Sequence, residues 1–204
     1  RRLRRLLRSR GSSALSCRGE AISCENKMFR SGEILILTGT PGSGKTTAAT
    51  RIAQFPDSPK VHLHADDFWR FIKAGSIPPW ETKAHAQNAT VIEVLAGAAA
   101  RYAQGGYFVI VDGIIGTWFL EPFRNRGVPL HYIVLRPDLE EAIRRCGARG
   151  GDTLSDPVPI SALHQQFANL GALEAHSLSV SGLTVDQTCD AIAQSVQSGR
   201  FRLT

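Results

Sequence analysis

Gly39, Thr40, Pro41, Gly42, Ser43, Gly44, Lys45 and Thr46 set three glycines, a lysine and a hydroxyl at fixed offsets, and Thr47 follows them. Glycines at these places permit positive φ angles and close backbone approach, so successive N–H groups can converge on an anion. Lys45 then reaches the β and γ phosphates of a nucleoside triphosphate, and the Thr46 hydroxyl ligates Mg²⁺. The loop follows the apolar run ILILT at 34–38 and opens a helical pattern, whose N-terminal dipole adds to the cradle. That strand, loop and helix context is what turns the pattern into an assignment. The nucleotide is read as ATP, because no Asn-Lys-x-Asp segment follows the later strands; the Asn26-Lys27 pair precedes the cradle and lacks the aspartate.

Two further places carry carboxylates. Asp112 ends VIVD, at the carboxyl edge of a strand, where it holds Mg²⁺ through water; capping the next helix is the competing role. Gly113 follows it, where ATP-hydrolysing motors usually carry an acid to activate water, and this disfavours a motor. The segment HADDFWR, 64–70, comes directly after the second strand and faces the same crevice. Phosphoryl transfer needs a carboxylate within reach of the attacking hydroxyl, and Asp66 is the residue chosen for that base. The competing reading makes Asp66 and Asp67 helix N-terminal acids. Arg145 and Arg149 are four apart in IRRCGARGG and share a helical face, so they can close over the transferred phosphoryl group. Glycines 147, 150 and 151 would let that segment, about 144–156, move as a lid; a solvated helix face is the alternative.

The elements that must position these groups alternate along the chain. Apolar runs at 34–38, 61–65, 107–112, 130–135 and 177–180 imply five strands. Helical patterns lie between them: after Lys45, after Asp66, from Trp80 to Gln104, around Phe119, from Asp138 to Cys146, from Ile160 to Leu170 and from Val185 to Val196. This order predicts a parallel sheet covered by helices on both faces. The chain of 204 residues suits one domain with a full core. Its net charge of +6 belongs to a tail: residues 1–30 hold nine of the 24 basic residues against two acids, leaving 15 basic and 16 acidic groups in 31–204. The tail reads as a disordered arm or as sequence foreign to the native protein, with an organelle transit peptide as the rival composition. The neutral domain argues against a nucleic-acid partner, and no apolar stretch reaches the roughly 18 residues that span a membrane. Four cysteines without CxxC spacing indicate neither a disulfide framework nor zinc, and fit a reducing, cytoplasmic setting. His62 and His64 share a strand face, but lack a third ligand for a metal site.

Taken in order, GTPGSGKT, the Asp66-Asp67-Phe68 pattern, the strand-ending Asp112 and the pair Arg145 and Arg149 before Gly150 resemble the small P-loop kinases of the nucleoside-monophosphate-kinase type. The resemblance covers residues 33–198 and is nearest to chloramphenicol phosphotransferases and polynucleotide 5′-hydroxyl kinase domains. It implies a three-layer α/β/α sandwich with a five-stranded parallel sheet in the order 2-3-1-4-5 and a small helical lid. It implies transfer of the ATP γ phosphate to a substrate hydroxyl, with Asp66 as general base and Arg145 and Arg149 as lid arginines on phosphates. The sequence departs from polynucleotide kinases at Trp69, with the arginine one place later at Arg70, and the segment GSIPPWETKAHAQNA matches no monophosphate-binding region.

Acceptor selection falls to that divergent stretch, with Asp67, Arg70, Trp80, His85 and Asn88 as candidate contacts for a polar small molecule. His85 and Asn88 are three apart on one helical face, where surface or core roles compete with binding. Phe68 and Trp69 are read as packing residues. The first reading is a kinase acting on a small-molecule hydroxyl. The others are a polynucleotide 5′-kinase and a non-catalytic ATP-binding regulatory or toxin-like module.

Overall fold

A computed structural model describes residues 28–149 and 156–203. Continuous apolar runs form its central strands, β1 (Ile34–Gly39), β3 (Phe108–Asp112) and β4 (Leu130–Arg136), which are almost wholly buried as strands covered on both faces must be. β2 (Lys60–His64) alternates polar and apolar residues and is half-buried, as suits an edge. The parallel order is β2-β3-β1-β4-β5, with β5 at Ser177–Ser179.

Side chains alternate across the sheet and build two cores. Ile34, Ile36, Val109, Val111, Tyr132 and Val134 meet Ile92, Leu95, Ala96 and Ala99 of α3 (His85–Gln104) on one face. Leu35, Leu37, Phe108, Ile110, Ile133 and Leu135 meet α1 (Lys45–Ala53) and α7 (Val185–Gln197) on the other. The three-layer sandwich and the strand order are therefore those the sequence implies. Four further α-helices are α2 (Ala65–Arg70), α4 (Glu121–Arg124), α5 (Leu139–Arg149) and α6 (Pro157–Gln166), the last two sharing a small third cluster.

Some boundaries differ from the sequence reading. A sixth strand, β6 (Arg202–Leu203), pairs antiparallel with Leu130 and His131. β5 covers only Val134–Arg136 of the β4 edge, so β6 satisfies backbone groups that β5 leaves open, a need no two-residue pattern reveals. The pattern expected to be helical from Trp80 begins as a 3₁₀ turn at Thr82–Ala84, with α3 following from His85. α6 starts at Pro157, three residues earlier than expected, because Asp156 caps it by accepting from the Val158 N–H at 2.9 Å and proline suits a first helical position. Of the expected lid, α5 carries residues up to Arg149, and 150–155 lie outside the described residues, as do residues 1–27 of the basic tail. Among the described residues no helix is long and apolar enough to cross a membrane.

Candidate active site

The cradle is built where β1 turns into α1. Gly39, Gly42 and Gly44 take φ values of 142°, 81° and 85°. The first two are also places of close approach: a Cβ would stand 2.3 Å from the Leu135 carbonyl at Gly39 and 2.3 Å from the Ala142 carbonyl at Gly42. Glycine there lets α5 and β4 press directly against the loop. The Lys45 ammonium donates to the Thr40 carbonyl at 3.3 Å. Pro41 is half-buried on the loop, and Thr47 is exposed on the first turn of α1. The Thr40 and Ser43 hydroxyls are buried without a protein partner. A buried hydroxyl left unpaired is costly, so both fit a ligand rich in acceptor oxygens, such as a polyphosphate.

Opposite the cradle, Asp112 is wholly buried at the end of β3. Its Oδ2 accepts from the Thr46 hydroxyl at 2.5 Å, and its Oδ1 lies 2.6 Å from His62 Nε2 and 3.0 Å from His64 Nδ1. Burial pushes its pKa up, but the His62 and Thr46 hydrogen bonds and the charge and hydrogen bond of His64 outweigh it, so the net shift is downward and the group stays a carboxylate. The paired hydroxyl and carboxylate are hard oxygen donors of the kind Mg²⁺ takes. His62 and His64 thus serve a carboxylate: among the described residues, no three His, Cys, Asp or Glu groups are arranged to hold a metal ion.

α2 brings the second carboxylate alongside. Gly113 passes under Ala65 so closely that a Cβ on it would lie 2.5 Å from the alanine's methyl carbon. This leaves no room for the acid a motor would carry there, and it seats the first turn of α2 beside Asp112. Asp66, exposed, has Oδ2 3.8 Å from His64 Nε2, so one imidazole touches both carboxylates. Asp67 instead pairs with Arg70 at 3.2 Å on the helix surface.

On the other flank, Arg145 Nη1 is 3.5 Å from the Gly42 carbonyl and Nη2 is 2.7 Å from Glu141. Glu141 also accepts from the Gly182 N–H at 3.1 Å, tying α5 to the loop before α7. Glu141 was missed in the sequence, although its spacing of four before Arg145 is an ion-pair signal. An open groove of about 440 Å³ leads from Thr46 and Thr47 along α1 to Val185 and Asp186.

The acceptor candidates are not brought to one place. Asn88 is buried; its amide oxygen accepts from the Trp69 indole at 2.8 Å and its amide nitrogen donates to the Pro79 carbonyl at 2.7 Å. Gln87 bonds both the N–H and the carbonyl of Ile77. These bonds strap the 71–81 segment to α3, so Asn88 shapes the loop. Trp80 is 85 % exposed and His85 is exposed at the start of α3. Phe68 and Trp69 pack against the α3 core.

No curated protein matches the sequence. Solved structures with the same fold include a sugar kinase from Janibacter sp. HTCC2649, with 21 % identity and a TM-score of 0.57 over 81 % of this chain and 94 % of that one. Others are thymidylate kinase from Candida albicans, with 18 % identity and a TM-score of 0.60 over 86 % and 96 %, and the tunicamycin resistance protein of Deinococcus radiodurans, with 17 % and 0.60 over 80 % and 95 %. The fold is the one these P-loop kinase structures share, and the chain belongs to the AAA domain family, whose model matches residues 34–173.

Proposed function

We propose that this protein is a MgATP-dependent phosphotransferase that phosphorylates a hydroxyl of a small molecule. The observation that carries the reading is the join between two carboxylates: Asp112, paired with the cradle hydroxyl of Thr46, and Asp66, linked to it through His64. Phosphoryl transfer asks for these two functions side by side, one at the metal and one at the attacking oxygen.

Gly39, Thr40, Pro41, Gly42, Ser43, Gly44 and Thr47 would line the phosphates, with Lys45 on the β and γ groups. Thr46 and Asp112 would hold Mg²⁺, which supplies charge neutralisation on the phosphates. The groove along α1 gives the nucleoside room. Asp66 would take the proton of the acceptor hydroxyl as that oxygen bonds to the γ phosphorus and the bond to the β–γ bridging oxygen breaks, leaving ADP. Arg145, with Arg149 at the end of the same helix, would meet charge on the transferred group. Asp67, Arg70, Trp80 and His85 would meet the acceptor only in part, since they are not gathered at one place. Among the described residues, Cys146 and Cys189 are buried and in no disulfide, which suits a reducing, cytoplasmic setting.

The test is ADP release with the full chain, MgATP and a panel of polar alcohols, with a 5′-hydroxyl oligonucleotide in parallel. Turnover on a small alcohol supports the proposal; turnover on the oligonucleotide alone replaces the acceptor class with nucleic acid. ATP binding without turnover on anything supports the regulatory module.

A further inference from the structure

The two imidazoles on Asp112 are not needed to hold the sheet together. β2 is an edge strand whose positions 62 and 64 share a face, and the parallel register sets His64 opposite Asp112. Both rings reach one oxygen, Oδ1, while Oδ2 is left to Thr46. A carboxylate only accepts, so the facing nitrogens carry the protons: His62 donates from Nε2 and His64 from Nδ1. The terminal torsion of an aspartate is a broad, two-fold rotor. Two donors on one oxygen remove that freedom, whereas a single donor would leave it partly free. The rings themselves remain 21 % and 28 % exposed, so little core depends on them.

We propose that His62 and His64 are positioning residues that pin Oδ1 of Asp112 and so present Oδ2, beside the Thr46 hydroxyl, to the metal ion. This rests on the reading of Thr46 and Asp112 as the metal-holding pair. Groups that orient metal ligands typically change metal affinity by about 10-fold to 100-fold when removed.

The experiment is Mn²⁺ binding to the full chain with ADP, read by electron paramagnetic resonance. His62→Leu and His64→Leu are each expected to weaken Mn²⁺ by about 10-fold or more, with ADP affinity in the absence of metal unchanged. His62→Gln and His64→Asn, which return an N–H near Nε2 and Nδ1, should recover most of the loss. If a leucine variant does not fold, the corresponding alanine variant carries the comparison. Wild-type Mn²⁺ affinity in folded histidine variants, while Asp112→Asn loses the ion, overturns this inference and leaves the parent reading standing. Unchanged affinity in Asp112→Asn overturns both.

Discussion

Gly113→Ala places a methyl carbon 2.5 Å from the Ala65 methyl, where carbon atoms prefer about 3.5–4.0 Å. Neither group has a flexible end to swing aside, so the start of α2 must move away from β3 by about 1 Å or more. Over-packing of this kind costs about 1–3 kcal/mol. In a chain of this size each kcal/mol lowers the melting temperature by about 2–4 °C. Asp66 rides on the displaced turn, and a misplacement of about 1 Å can lower a rate about 100-fold. The cradle is built from β1 and α1, which the clash does not touch, so nucleotide affinity should stay within about 3-fold of wild type, a difference below about 1 kcal/mol. Thermal melts, nucleotide titration and turnover on the acceptor found in the screen measure the three quantities separately. Ala65→Gly removes the opposing methyl, so the double variant should regain most of both losses, as contacting residues in a cycle do. Wild-type turnover in Gly113→Ala, or a double variant no better than the single one, would refute the claim that this contact sets the place of Asp66.

Three other outcomes follow from the geometry. Gly42→Ala and Gly44→Ala impose similar backbone strain at φ 81° and 85°, about 1–3 kcal/mol each, but only Gly42→Ala drives a methyl into the Ala142 backbone. Gly42→Ala should therefore melt lower by a further 1–3 kcal/mol, roughly, and lose nucleotide affinity through a displaced Arg145. Asn88→Ala leaves the Trp69 indole N–H and the Pro79 carbonyl unpaired, an expected loss of about 1–3 kcal/mol seen in denaturant melts, with tryptophan emission shifting to the red. Glu174 is held at about 2, below its ordinary 4.5, chiefly by its hydrogen bond from Arg136. A depressed carboxylate stabilises the fold above its unfolded value and loses that contribution as pH falls from about 4.5 toward about 2; Glu174→Gln should flatten the melting curve in that window.

The central strands were legible because ILILT, VIVD and LHYIVL are apolar on both faces, a pattern only a doubly covered sheet requires. The cradle was legible because its chemistry is local: eight consecutive residues carry glycine, lysine and hydroxyl at fixed offsets. What lay across the sheet was not. Spacing puts His62 and His64 on one face of β2, but only the register with β3 reveals that Asp112 stands there to receive them. Asn88 shares a helical face with His85, yet what decides its role is the Trp69 indole and the Pro79 carbonyl, brought to it by a loop without periodicity. β6 is two residues long and exists to satisfy an edge left open by the shortness of β5. Gly113 was read as a missing acid; its packing against Ala65 supplies the steric reason.

The most direct test incubates the full chain with MgATP and a small-metabolite extract, with Asp66→Asn alongside, and searches by mass spectrometry for species heavier by one phosphoryl group. The account predicts a new phosphorylated alcohol with wild type, formed about 100-fold to 10,000-fold more slowly by Asp66→Asn while nucleotide binding is retained. A product formed equally by both proteins, or no product while ATP still binds, would contradict it.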